Sequence, residues 1–428
     1  MKTINRHLIL LQILIVTFLF WTVISFSQES RITKISFLGV KKTSENFLEK
    51  MMESKKGGLL DSVFLKEDIV RFKRLPAIAN ADYKIKYHKD NYCTVIINIE
   101  ENFTLIPEIN LFTTTNKKLA YKIGFKEYNL FGKNITFGGF YQNNGFDSYG
   151  VNFRAPTLFS NKWGLSLNHQ KWVSEEPLYF DDKTANYKYE NISHELLGLH
   201  QLNFKNQLQF GLSYFTEKYE YLTGSTDPSI PLKLDVDKWL FKTIYTYDNL
   251  NYYYQYIDGF KNQLYGQYVI SENEFQKDFL IFWNDFFYYK RLSEKGNWAN
   301  RLRVGFSSNI KSPFAPFALD NNVNLRGVGI LVDRGTGSVV LNSEYRHTLY
   351  DNKWLVIQSN VFIDAGTWRN PGGDLDDFIK EENVKVYSGI GLRFINKKIF
   401  NAVFRIDYGV GLTKDSSKGI VFGIGQYF

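Results

Sequence analysis

The sequence predicts a mainly β protein: an antiparallel transmembrane β-barrel of about 16 strands, preceded by one small α+β unit with the order βααββ. Three observations predict it. From residue 103 to the last residue, segments of ten or so residues alternate apolar and polar side chains, the two-residue period of strands with one apolar and one wet face. The chain joins 17% aromatic residues to a mean hydropathy of -0.28, too polar for a bundle of membrane helices but suited to a barrel wall with aromatic girdles. The connections also alternate between short and long, as the two ends of such a barrel require.

The N-terminus comes first. Lys2 and Arg6 precede an apolar stretch from Leu8 to Ile24, and Ser25-Phe26-Ser27 then places small residues at the first and third positions. This pattern predicts a signal peptide over residues 1–27, cleaved after Ser27; an uncleaved anchor is the alternative, because the stretch approaches the length of a membrane span. The formal net charge is +8, two lower without Lys2 and Arg6. That modest balance suits outer-membrane lipid or lipopolysaccharide as a surface partner. No nucleic-acid module is recognisable, so no nucleic acid is expected as a partner. Cys93 is the single cysteine, which excludes an internal disulfide and predicts a small buried residue on a strand.

Residues 31–101 read as one compact unit. A strand over 32–40 ends at Gly39; Thr43 or Ser44 caps a helix from Glu45 to Ser54, stopped by Gly57-Gly58. Asp61 or Ser62 starts a second helix, whose buried stripe is Phe64, Leu65, Ile69, Phe72 and Leu75 before Pro76 ends it. Strands over 81–87 and 92–100 close the unit around the turn His88-Lys89-Asp90-Asn91. This order, the Gly after the first strand and the closing Ile99-Glu100-Glu101 resemble a polypeptide-transport-associated (POTRA) domain. Such a unit leaves a sheet edge unpaired. The segment Ala81 to Tyr87, with Ala81, Tyr83, Ile85 and Tyr87 on one face, is the candidate edge for adding a strand from a client polypeptide.

Residues 103–428 read as the barrel. In Val339 to Leu349, Asn342, Glu344, Arg346 and Thr348 fall on one face, while Val339, Leu341, Tyr345 and Leu349 fall on the other. Sixteen such segments run from 104–113 to 419–428, an even number as bacterial barrels of this kind have. Turns at 129–132, 203–205, 350–353 and 396–399 are short; connections at 174–187, 220–237, 311–335 and 367–384 are long and are expected to be outer loops. Only the Tyr-rich stretch Asp248 to Asp258 breaks the alternation, being long where a short turn is expected. Pro107 interrupts the first barrel strand and Gly423 and Gly425 weaken the last, so a seam between Leu105–Leu111 and Ile420–Phe428 is expected to pair poorly.

The longest outer loop carries Leu325-Arg326-Gly327-Val328. The next two strands carry Asn342-x-Glu344 and Phe362-x-Asp364-x-Gly366. Glu344 and Asp364 share the lumen face of neighbouring strands, so a loop folding back into the pore could set Arg326 between two carboxylates, which its planar fork can bond together. In shared order and spacing these motifs are similar to those of the BamA-type outer-membrane assembly superfamily, the bacterial surface antigen barrels. Gly389-Ile390-Gly391-Leu392-Arg393-Phe394, Arg405-Ile406-Asp407-Tyr408-Gly409 and Phe422-Gly423-Ile424-Gly425-Gln426-Tyr427-Phe428 extend the match. The resemblance implies that Arg326, Gly327, Glu344 and Asp364 form an activity-linked lock on the sixth outer loop. Val328 stands where the family has an aromatic residue.

No catalytic set competes with this reading. His169, His194, His200 and His347 sit on expected strands without a nucleophile or a metal-ligand spacing, so no enzyme activity, metal or cofactor is expected. The expected function is an outer-membrane assembly and insertion factor of a Gram-negative bacterium, its front domain in the periplasm. Its expected partners are unfolded outer-membrane or secreted proteins and accessory lipoproteins. The alternatives are a secretion pore of the two-partner type and a plain channel or accessory barrel.

Overall fold

A computed structural model describes residues 30–113, 119–180, 183–271, 277–311, 315–319, 324–328, 334–414 and 416–428. The expected leader, 1–27, lies outside the described residues.

The front unit follows the expected order: β1 (Arg31–Leu38), α1 (Glu45–Met51), α2 (Ser62–Lys73), β2 (Ile78–Tyr87) and β3 (Tyr92–Glu101). Ser44 caps α1 through the Phe47 N–H, and Asp61 caps α2 through the N–H groups of Val63 and Phe64. The first helix stops three residues before the expected Ser54. The buried Asp68 carboxylate takes the N–H groups of Glu53 (2.8 Å) and Ser54 (3.0 Å), satisfying them outside a helix. Leu48, Leu65 and Phe72 of the helices close on Cys93, Val95 and Ile97 of β3, all fully buried. Burying a side chain of this size contributes roughly 1.5–3 kcal/mol, so this small core suffices to define the unit. Cys93 occupies the buried strand position its composition implies.

The sheet order is β1-β3-β2, with β1 parallel and β2 antiparallel to β3, so two strands are edges rather than the single one expected. They differ in cover. The start of β1 is already bonded by the 57–60 segment, through Ile32 N–H to Gly58 O (2.9 Å) and Gly57 N–H to Ile32 O (2.7 Å). The outer rim of β2 is the more open of the two.

Sixteen strands form the second sheet: β4 (Leu105–Thr113), β5 (Leu119–Leu130), β6 (Ile135–Asn143), β7 (Asp147–Ala155), β8 (Trp163–Phe180), β9 (Lys183–Gln201), β10 (Asn206–Gly224), β11 (Lys233–Tyr253), β12 (Tyr256–Ser271), β13 (Phe279–Arg291), β14 (Gly296–Ser307), β17 (Gly337–Asp351), β18 (Leu355–Arg369), β19 (Val384–Asn396), β20 (Val403–Gly411) and β21 (Lys418–Ile424). Two-residue strands β15 (Phe317–Ala318) and β16 (Arg334–Gly335) pair within the long connection between β14 and β17. Every neighbour in the large sheet is antiparallel and sequential. Residues such as Phe210, Trp239, Phe282, Leu341 and Phe404 point outward and exposed, while Asn342, Glu344, Asp364, Arg393 and Asp407 point inward and are buried. The alternation read from the sequence is therefore apolar outside and polar inside.

The connections correct the sequence reading in two places. Within 174–187, expected as an outer loop, residues 174–180 and 183–187 continue the ladder of β8 and β9, and β10 and β11 extend beside them; these four strands have 18, 19, 19 and 21 residues. About 9–11 residues cross a bilayer, so the surplus forms a canopy beyond it. Its strands stay ordered because Leu178, Ala185, Tyr187, Tyr219 and Ile230 give it a core of its own. The Tyr-rich stretch 248–258, expected as a long turn, is the paired tip of β11 and β12, turning over Tyr254 and Gln255.

Candidate functional site

The connection between β14 and β17, loop six, folds back into the lumen at Arg326. The strands beneath it explain why. Glu344 on β17, Phe362 on β18, Gly389 on β19 and Gly409 on β20 form one cross-strand row. Gly389 makes room for the Phe362 ring, and loop six lies directly on Gly409: a Cβ on Gly409 would strike the Arg326 carbonyl, and one on Gly327 would come within 2.9 Å of the Gly409 backbone. Gly327 also has φ +98°, a conformation only glycine adopts without strain.

Arg326 is fully buried. Its Nε and Nη2 donate to the two Asp364 oxygens (2.8 and 2.9 Å), its backbone N–H donates to Asp364 (3.0 Å), and Nη1 pairs with Glu344. The guanidinium is stacked between rings, its carbon 3.7 Å from the centre of Phe362 and 4.4 Å from that of Tyr427. The three letters of Phe362-x-Asp364-x-Gly366 thus have separate physical reasons: Phe362 covers the cation, Asp364 bonds its fork, and Gly366 leaves room for Leu319 and Leu325, whose methyls lie 2.5 and 3.1 Å from where a Cβ would stand. Val328 packs in a buried cluster with Leu319, Leu325, Val340, Trp368 and Tyr387, so the smaller residue is accommodated. Ser417 fixes the loop from above, its one hydroxyl hydrogen shared between the carbonyls of Gly327 (2.9 Å) and Val328 (2.8 Å).

The site is wider than the four residues singled out from sequence. Arg346 pairs with Glu344, Arg393 reaches Glu344 (3.3 Å) and Asp407 (2.7 Å), Arg405 reaches Asp407 (3.2 Å), and Arg326 lies 3.8 Å from Asp407. Asn342 bridges Asp364 and the Asn324 carbonyl, both at 2.8 Å, and accepts from Arg301. The available signal was the two-residue alternation, which puts Arg346 beside Glu344 and Arg405 beside Asp407 on the lumen face. Cations confined this way need carboxylates nearby, because an unpaired buried charge is costly.

The seam residues separate into two groups. Among the described residues, Pro107 lies on β4, which pairs only with β5, and Gly423 lies on β21, which pairs only with β20. No ladder joins β4 to β21 among the described residues. A proline without a donor is at home on such an edge. Gly425 and Phe428 are expected on the last strand; the strand stops at Ile424, Gly425 still donates to the Val403 carbonyl (2.8 Å), and the chain then turns inward at φ +88°, taking Phe428 off the wall. The reason is aromatic burial. Tyr427 covers Arg326 and Arg405, and Phe428 packs beside Leu250, Tyr289 and Ala299 while its carbonyl accepts from Arg346 (3.1 Å). At the base of the seam Phe103 bonds instead to the turn between β19 and β20, through Lys398 O (2.7 Å) and Phe400 N–H (3.0 Å).

The front unit sits against the mouth of the barrel. Arg74, just after α2, donates to the carbonyls of Phe204 (3.1 Å), Asp248 (3.1 Å) and Leu250 (3.2 Å), pairs with the Asp248 carboxylate (3.2 Å) and covers the Phe204 ring. Tyr254, at the tip of the β11–β12 hairpin, donates to Glu100 (2.9 Å). On β2, Ala81 is buried, Tyr83 and Ile85 are half-buried and Tyr87 is exposed. Glu101 accepts from the N–H groups of Lys41 (3.1 Å), Lys42 (3.0 Å) and Thr43 (2.8 Å). Burial pushes its carboxyl up, but the bonds from Thr43, Lys42 and Lys41 outweigh this and hold it below the usual carboxylate range.

His169, His194, His200 and His347 all lie on the outward face, where His169 stacks on His194 and His200 on Trp163. Among the described residues no group of three or more His, Cys, Asp or Glu is placed to hold a metal ion.

No protein-family model and no curated protein matches the chain. Solved structures do. BamA from Haemophilus ducreyi lacking POTRA domains 1–3 is 17% identical, with 92% of this chain and 83% of that one covered and a TM-score of 0.52. CdiB from Escherichia coli is 10% identical over 92% of this chain and 75% of that one, at a TM-score of 0.62; CdiB from Acinetobacter baumannii is 12% identical over 92% and 73%, at 0.55. The chain has the BamA-type barrel fold.

Proposed function

We propose that this chain is an outer-membrane assembly and insertion factor of the BamA and CdiB type. Its front unit would act as a periplasmic POTRA domain that receives unfolded clients on the β2 edge, and the β4/β21 seam would open to pair with their strands. The observation that carries this reading is the seam: a sixteen-strand sheet whose first and last strands share no ladder among the described residues, while the chain beyond Ile424 is drawn into the lumen. Two unpaired edges offer main-chain donors and acceptors to any strand, whatever its side chains. Accessory lipoproteins and lipopolysaccharide fit this reading as partners at the two ends of the barrel. The likeness to CdiB favours a second reading, a secretion pore of the two-partner type passing one protein through the lumen.

Depletion followed by an outer-membrane proteome separates the two. General loss of barrel proteins supports assembly; loss of one secreted protein with the barrels intact overturns it in favour of export.

A further inference from the structure

Between the front unit and the lumen wall lies a cavity of about 670 Å³. Its charge is one-sided. Eight cationic side chains line it against two carboxylates, Glu53 and Asp248, and these already face Arg71 (3.4 Å) and Arg74 (3.2 Å). The other six, Lys50, Lys55, Arg154, Lys162, Lys205 and Lys261, have no carboxylate within 4 Å among the described residues. Arg154 donates only to the Gln209 amide (3.0 Å), Lys261 lies over the Phe287 ring, and the buried Arg74 Nε has no partner. A half-enclosed space with low-dielectric walls focuses such a field and raises the local concentration of anions.

The neutral part of the lining narrows the chemistry. Gln201, Asn203, Gln207, Gln209 and Gln263 carry amides, which both donate and accept and so match peptide N–H and C=O groups, whereas a phosphate offers only acceptors. Leu75, Leu199 and Leu202 add apolar wall for alternate side chains. We propose that this chamber binds an extended, acidic stretch of polypeptide, the anionic side chains facing Arg154 and Lys261 and the main chain bonding the amides. The proposal rests on polypeptides being the clients, and it adds a charge preference that an edge strand, which reads only backbone, cannot supply.

The test uses purified full-length protein in detergent and fluorescent twelve-residue unfolded peptides, alternating Ser with Asp, Lys or Thr. The expected result is that the Asp peptide binds at least ten times more tightly than the Thr peptide, with the Lys peptide weakest. The double change R154Q/K261Q should remove that tenfold advantage without altering Thr-peptide binding, and R154K/K261R should retain it; intact heat-modifiable migration reports the folded barrel. A photo-crosslinker at Gln207 should capture the Asp peptide. Equal binding of the Asp and Lys peptides, or an Asp preference that survives R154Q/K261Q, overturns the proposal. So does displacement of the Asp peptide by inorganic polyphosphate at equal charge, which would make the chamber a general anion site. Peptide binding that stands while depletion leaves the outer-membrane proteome unchanged would sink the assembly reading and leave the chamber intact.

Discussion

Arg326 has no exposed surface and three carboxylates within 4 Å, so each of its roles can be removed separately. Arg326→Ala leaves the buried Asp364 carboxylate with Asn342 as its only side-chain partner among the described residues, while Glu344 keeps Arg346 and Arg393; breaking a buried pair of this kind costs about 3–5 kcal/mol. The expected outcome is an inserted barrel with a protease-sensitive loop six and reduced activity; changing Glu344 and Asp364 together to Ala should do the same. Arg326→Lys should recover only part, since an ammonium cannot bond both carboxylates as a fork does. Unchanged protease access in Arg326→Ala would show that the loop is held by other contacts. Glu101 gives a pH prediction. Its folded pKa is depressed, so its contribution is present above the unfolded value of about 4.3 and disappears as pH falls through the lower folded value. Pepsin should therefore cut near Lys41–Thr43 already at pH 5 in Glu101→Gln, while the wild type resists until the pH falls below the ordinary glutamate range. Equal cutting of the two proteins at pH 5 would remove Glu101 as the clasp.

Among the elements, β2 is the one whose outer rim stays available, because its inner rim pairs with β3 and its buried side chains end near Ile85. A proline within Ala81–Tyr87, at a position whose N–H faces away from β3, removes a donor while leaving the core of β3 and the helices in place. Crosslinking from this strand to clients is expected to fall severalfold; a folded variant that crosslinks as before excludes this edge. The elements also show what alternation can and cannot reveal. All sixteen barrel strands were legible, since each repeats every two residues. The canopy was not, because residues 174–187 break the alternation with Glu175-Glu176-Pro177 and Leu178-Tyr179-Phe180, and their polar, proline-bearing letters read as loop. The β11–β12 tip was misread for a similar reason: Tyr252–Tyr254 are consecutive aromatics whose purpose, meeting Lys73 and Glu100 of the front unit, lies 150 or more residues away in sequence.

For the whole molecule, the decisive question is whether the wall opens between its two ends. A cysteine within Leu105–Ile109 and another within Ile420–Ile424, in a Cys93→Ser background, should form a disulfide that abolishes activity until it is reduced. Full activity with the seam demonstrably closed would leave passage through the lumen as the better account. The meeting of Arg326 with Glu344 and Asp364 was legible because motif and face agreed, but not the approach of Tyr427: nothing in the letters Gln426-Tyr427-Phe428 distinguishes a last strand from a tail that leaves the wall. That tail has a practical consequence. Phe428 has its carbonyl on Arg346 and its ring close to both Arg301 and Arg346, so an affinity handle added after it must be fitted among these cations or pull Tyr427 off Arg326. A purification tag added after Phe428 would be an unintended change to the contacts of Arg326.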